Sequence, residues 1–203
     1  MSSIDKIHEL FTESIRVKQQ CLAHDLGCLV KMGTKIVKSI ETGGKLMICG
    51  NGGSASDAQH LAAEMLVRLK PQNNRNSIPV ISLALDTSTL TACGNDFGFE
   101  FLFERSLKAL GKPEDILLVI STSGNPKNIN NAAKAANEMG IPVFGFLGSD
   151  GGKVLDWCDE YFMVPSSTTG RIQEAHITAG HALMEMIEEK LLENQFVNLW
   201  KSK

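Results

Sequence analysis

Ile116-Leu117-Leu118-Val119-Ile120 is an unbroken apolar pentad, and it constrains the fold more than any other stretch. A strand with one wet face alternates apolar and polar residues, whereas a strand with no polar position needs cover on both faces. Apolar runs of strand length recur at 45–49, 79–85, 142–147 and 160–164, and helical patterns fill the gaps. Parallel strands joined by right-handed helical crossovers satisfy both facts. The expected fold is α/β: a three-layer α/β/α sandwich around a five-stranded parallel sheet, extending from residue 115 to 120 at its centre.

Residues 5–42 read as two further helices. Ile4, Ile7, Leu10, Phe11 and Ile15 recur at helical spacing, as do Leu29, Met32, Ile36, Val37 and Ile40, and Thr42-Gly43-Gly44 ends the second helix. A last helix over 170–192 carries Ile172, Ala175, Ala179, Leu183, Met186 and Ile187 on apolar stripes. These helices have more apolar surface than one five-stranded sheet can cover, which points to helix packing between subunits. The polar segment Lys70–Ser77 is too short for a domain linker and reads as a mobile surface loop. Residues 1–203 therefore read as a single domain, with 1–42 as an N-terminal helical pair used in oligomer packing.

Charge and cysteine usage remove several functions. Net charge is −3 with no long basic run, so no nucleic acid and no acidic membrane surface is expected as a partner. Five cysteines, an odd number without a CxxC pair, oppose a disulfide framework or a thiolate zinc site. Cys49 and Cys93 lie in apolar stretches and read as small buried hydrophobes. Met1–Lys6 lacks the apolar core of a signal peptide and no transmembrane-length run follows, so the expected location is cytoplasmic.

Two segments carry chemistry. Gly50-Asn51-Gly52-Gly53-Ser54 follows a strand and opens a helix, where free N–H groups suit a polar or anionic ligand; Asn51 and the glycine backbone are candidates for sugar hydroxyls. Ser121-Thr122-Ser123-Gly124-Asn125 follows the buried strand, where ligands collect in open α/β sheets. Its hydroxyls and N–H groups fit phosphate, although Ser and Thr also serve as plain helix caps. Four residues separate His60 from Glu64, one helical turn on one face. With Gln173 and His181 they support two schemes. In one, Glu64 is the base and His181 the acid/base partner of a proton transfer between neighbouring carbons through an enediol(ate). In the other, His60, Glu64, Gln173 and His181 form a nitrogen/oxygen shell for Zn²⁺. A carboxylate could alternate between the roles. His176 reads as a packing residue, and His8 and His24 take no role.

These segments, with Gly94-Asn95-Asp96-Phe97-Gly98, Asp150-Gly151-Gly152 and Arg171-Ile172-Gln173-Glu174-Ala175-His176, resemble the sugar isomerase (SIS) domain family and, within it, the phosphoheptose isomerases, over nearly the whole chain. The resemblance implies conversion of sedoheptulose 7-phosphate to D-glycero-D-manno-heptose 7-phosphate, the entry to heptose for lipopolysaccharide core or other surface glycans. It implies a homotetramer with active sites at subunit contacts and one Zn²⁺ per subunit, the four positions above being described both as zinc ligands and, for Glu64 and His181, as acid–base residues. The implied substrate contacts are Asn51, Gly52, Gly53, Ser54, Glu64, Asn95, Asp96, Ser121, Thr122, Ser123, Pro126 and Gln173. Pro126 stands where the family often has Ser, which removes a hydroxyl and an N–H but suits a first helical turn. Asn95 and Asp96 could equally be a helix C-cap, and Arg68 either pairs with phosphate from a neighbouring subunit or is an exposed helical residue. Two other functions resemble this one: a non-catalytic SIS protein that binds the replication initiator or senses a sugar phosphate, and an isomerase of another phosphosugar. The initiator-binding relatives lack the acid that Glu64 supplies here.

Overall fold

The computed structural model describes residues 1–24, 26–84 and 86–198. The chain begins with α1 (Ser3–Ala23) and α2 (Gly27–Glu41), then β1 (Leu46–Gly50), α3 (Gly53–Leu66), β2 (Val80–Ser82), α4 (Thr87–Asp96) and α5 (Leu102–Leu110). It continues through β3 (Ile116–Ser121), α6 (Lys127–Glu138), β4 (Val143–Gly148), β5 (Glu160–Val164) and α7 (Thr169–Glu193). The five strands are parallel, in the order β2-β1-β3-β4-β5. β1, β3 and β4 are buried at every position, because alternate side chains enter two separate cores. Leu46, Ile48, Leu118, Ile120 and Phe146 meet α1, α2, α3 and α7. Met47, Cys49, Leu117, Val119 and Leu147 meet α4, α5 and α6.

Two details differ from the sequence expectation. β2 spans three residues rather than 79–85; the Ser82 hydroxyl accepts from the Ala84 N–H and turns the chain, and Leu85 lies outside the described residues. The gap between β4 and β5 holds no α-helix, only a 3-10 helix, Lys153–Trp157. Residues 149–159 fall short of the dozen or so that a helical crossover takes.

At the N-terminus, Ser2 and Asp5 form a reciprocal capping box that starts α1. The apolar stripe Ile4, Ile7, Leu10, Phe11 and Ile15 does not enter the core: Phe11 is 70% exposed, and the buried residues of α1 are Val17 and Cys21. The polar segment 70–77, expected to be mobile, is instead tied to α7. Arg75 is 4% and Glu188 0% exposed, and Arg75 Nε lies 2.6 Å from Glu188 Oε1. Lys70 reaches both Glu185 and Glu189.

Candidate active site

In a parallel sheet of this order, the connections leave β1 and β3 towards opposite sides, opening a crevice beyond the C-terminal ends of those two strands. Their register pairs Gly50 with Ile120, so the glycine turn and the serine loop start side by side. A reciprocal amide pair joins them. Asn51 Nδ2 donates to Asn128 Oδ1 at 2.9 Å, and Asn128 Nδ2 donates to Asn51 Oδ1 at 2.8 Å. Asn51 thus spends part of its hydrogen-bonding capacity on the scaffold, with one N–H and one lone pair left for a ligand. Asn128 escaped the sequence reading. Its signal was a polar residue on the apolar stripe of α6, in line with Ala132 and Ala136.

The serine loop is built from its own polar groups. Ser121, 5% exposed, accepts from the Gly124 N–H at 3.0 Å, which places its hydroxyl in the scaffold rather than in the open crevice. Thr122 is half-buried, and Ser123 is exposed. Gly124 has φ +62° and sits directly over the Gly151 carbonyl, leaving no space for a Cβ. The Asp150-Gly151-Gly152 segment is therefore the floor of this loop, and the Val154 N–H donates to the Gly124 carbonyl at 3.0 Å. Pro126 is the N-cap of α6, one position ahead of the first helical turn, and its carbonyl accepts the Asn130 N–H at 3.1 Å.

Further along, α3 packs on α7. Gly180 has no side chain, and Leu61 fills the space that a Cβ would take. That close approach brings the next residue, His181, against His60. The two Nε2 atoms are 2.9 Å apart, so one ring donates and the other accepts. Glu64 Oε1 lies 3.5 Å from His60 Nε2. One ligand atom from each of His60, Glu64 and His181 falls within 4.8 Å of the others. Two imidazole nitrogens and a carboxylate oxygen form a donor set suited to Zn²⁺. This cluster forms within one chain. His60 is exposed, so the cluster is open on one side.

Gln173 precedes His181 by eight residues on the same helix, about 12 Å of helical rise, and its amide lies against Gly53 at the glycine turn. His60, Glu64 and His181 thus converge, and Gln173 stands on the helix that supplies His181. Asp57, which the sequence reading passed over, lies one turn before His60 on the same helix. Burial raises its pKa, the charges of His60 and His181 oppose that shift, and its Oδ2 is buried without a hydrogen-bond partner. The spacing 57, 60, 64 was its available signal.

The remaining candidates are more dispersed. Gly52 and Gly53 are exposed, whereas Ser54 is buried. Asn95 donates to Asp96 at 2.7 Å on the exposed end of α4. Arg68 is exposed just beyond the α3 C-cap, outside the helix. His176 is fully buried beside Phe146, and burial lowers its pKa to about 4, so it is neutral packing.

A polar crevice at the strand switch point, with a histidine–carboxylate cluster on the adjoining helices, defines a class of α/β proteins that place a small polar ligand beside acid–base groups. Residues 9–148 match the SIS domain family. A phosphoheptose isomerase of Leptospira biflexa serovar Patoc is 46% identical over 185 residues, 91% of this chain and 95% of that one. One from Aquifex aeolicus is 43% identical over 190 residues, 94% and 98% of the two chains. The solved phosphoheptose isomerase of Neisseria gonorrhoeae has a TM-score of 0.86 at 39% identity, covering 93% of this chain and 100% of that one. The chain belongs to the SIS domain family, among the phosphoheptose isomerases.

Proposed function

We propose that the chain is an aldose–ketose isomerase converting sedoheptulose 7-phosphate to D-glycero-D-manno-heptose 7-phosphate. The observation that carries this reading is the convergence of His60, Glu64 and His181 on one point beside the crevice. From Gly53 to His60, α3 rises about 10 Å, comparable to an extended seven-carbon sugar phosphate. The phosphate end then sits at Thr122, Ser123 and the N-terminus of α6, where N–H groups and the helix dipole favour an anion. Asn51, Gln173, Asn95 and Asp96 serve the sugar hydroxyls, and C1 and C2 lie at the cluster. Glu64 removes the proton from one carbon and returns it to the other. His181, held against His60 by their Nε2 contact, moves the proton on the enediol oxygen. His60, Glu64 and His181, with Gln173 as the fourth ligand, would hold Zn²⁺, one per subunit, which would polarise a carbonyl and stabilise an enediolate. Incubating the purified protein with a panel of ketose phosphates tests the substrate: turnover of a hexose or aminosugar phosphate in preference to the heptose would overturn it.

The phosphate assignment predicts the effect of Gly124→Ala. A Cβ there meets the Gly151 carbonyl at a positive φ that non-glycine residues resist, so the loop must move. KM should rise at least about tenfold, and inorganic phosphate should become a weaker competitive inhibitor. An unchanged phosphate inhibition constant in a folded variant would remove phosphate from this loop.

We place residues 1–203 in a homotetramer, with the 1–42 helical pair in its packing. The support is the outward apolar stripe of α1 and the open side of the cluster, which a neighbouring subunit can close against water. Light scattering combined with assays over a dilution series should show activity falling as the tetramer dissociates; a fully active monomer would contradict this. Among the described residues no helix is long and apolar enough to cross a membrane. We assign the enzyme to the cytoplasm and its product to lipopolysaccharide core or surface glycan synthesis.

A further inference from the structure

Glu64 lies two residues before the end of α3, and the last turn of a helix frays unless its free carbonyls find donors. Here the Arg75 side chain reaches two of them, the Met65 carbonyl also accepting the Ile78 N–H. Arg75 Nη2 donates to the Glu64 carbonyl at 3.0 Å and Nη1 to the Met65 carbonyl at 2.8 Å. The same guanidinium donates through Nε to Glu188 Oε1 at 2.6 Å, and Asn73 Nδ2 occupies Glu188 Oε2 at 2.7 Å. Both charged side chains are wholly shielded from solvent. Glu188 follows His181 by seven residues, two turns along the same face of α7.

The connection closes a ring: the backbone of Glu64, the Arg75 guanidinium, the Glu188 carboxylate, two turns of α7, His181, His60 and back along α3. An arginine is suited to this task because its planar fork can serve two carbonyls and a carboxylate at once, which an ammonium cannot. Buried ion pairs add little net stability over apolar packing, so a geometric role accounts better for placing one here.

We infer that Arg75 and Glu188 are positioning residues for the isomerisation, fixing the last turn of α3 so that the Glu64 carboxylate stays in register with His181. The inference rests on the proposed isomerase reading. A displacement of 1 Å at a reacting group costs about 10²-fold in rate, and loss of this clamp acts on that scale rather than on substrate affinity.

The test uses the intact protein with Arg75→Lys and Glu188→Gln, assayed at a temperature where circular dichroism shows each variant folded, together with the crystal structure of each. Arg75→Lys should lower kcat at least about tenfold with KM within about twofold, and Glu64 should be displaced relative to His181. Glu188→Gln keeps the shape and should show the same split more weakly. A kcat within twofold of the parent, or a Glu64 that has not moved, overturns the inference even where melting temperature falls. If Arg75→Lys does not fold, Glu188→Gln decides by the same two readouts. If the parent itself lacks isomerase turnover, the functional reading fails, and the position of Glu64 in the variant structures still settles the clamp.

Discussion

Replacing Glu64 with Gln lowers kcat by about 10³-fold, within the range expected for losing a positioned general base, and leaves the fold and assembly intact. The amide has the shape of the carboxylate but cannot accept a carbon-bound proton. Stability should barely change, because the Glu64 side chain is half-buried and its one ion-pair contact, His60 at 3.5 Å, is long and itself half-exposed. What holds this turn of α3 is the Glu64 backbone carbonyl on Arg75, and the substitution leaves that bond in place. Steady-state kinetics on sedoheptulose 7-phosphate, with circular dichroism and light scattering on the same sample, separate lost chemistry from lost structure. Near-normal turnover would move the base elsewhere. Asp57 would then be the first candidate, since it lies on the same helix face and burial raises its pKa.

The central strands were legible because burial on both faces forces a continuous apolar run, and 116–120 and 143–148 have no polar interruption. β2 was overestimated for the same reason: 79–85 reads as strand by composition, but the Ala84 N–H donates to the Ser82 hydroxyl and pairing ends after three residues. Apolar content reports burial, and Leu83 and Ala84 are indeed buried, outside the sheet. Periodicity on α1 was likewise real but ambiguous. A stripe of Ile4, Ile7, Leu10, Phe11 and Ile15 marks a surface to be covered without saying whether this chain or another covers it.

The segment 70–77 shows the opposite limit. Its composition, Lys-Pro-Gln-Asn-Asn-Arg-Asn-Ser, gives no hint of burial, because the partner of Arg75 is 113 residues away. Long-range charge pairing has no local signature. The His60–Glu64 spacing was readable, since helical geometry fixes it, and it extended to Asp57 for the same reason. The spacing of Gln173 and His181 was also available: eight residues of one helix correspond to about 12 Å of rise.

The convergence of His60, Glu64 and His181 sharpens the expected result of removing metal. Chelation should lower kcat by at least about tenfold, and readdition of Zn²⁺ should restore it. His60→Ala should lose metal and activity together, neither recovered by added Zn²⁺ at stoichiometric concentration. Disturbing even the groups around a ligand costs about 10–100-fold in affinity, and His60 is itself one of the donors that lie within 4.8 Å of one another. A falling rate alone does not discriminate, because His60 also bonds His181 Nε2 at 2.9 Å. Its loss would free the His181 ring and slow proton transfer in a scheme that uses no metal. Metal content is therefore the deciding readout, measured by atomic absorption on parent and variant purified identically. A parent that stays fully active after verified removal of metal would assign the chemistry to Glu64 and His181 alone, with His60 as the residue that holds the His181 ring.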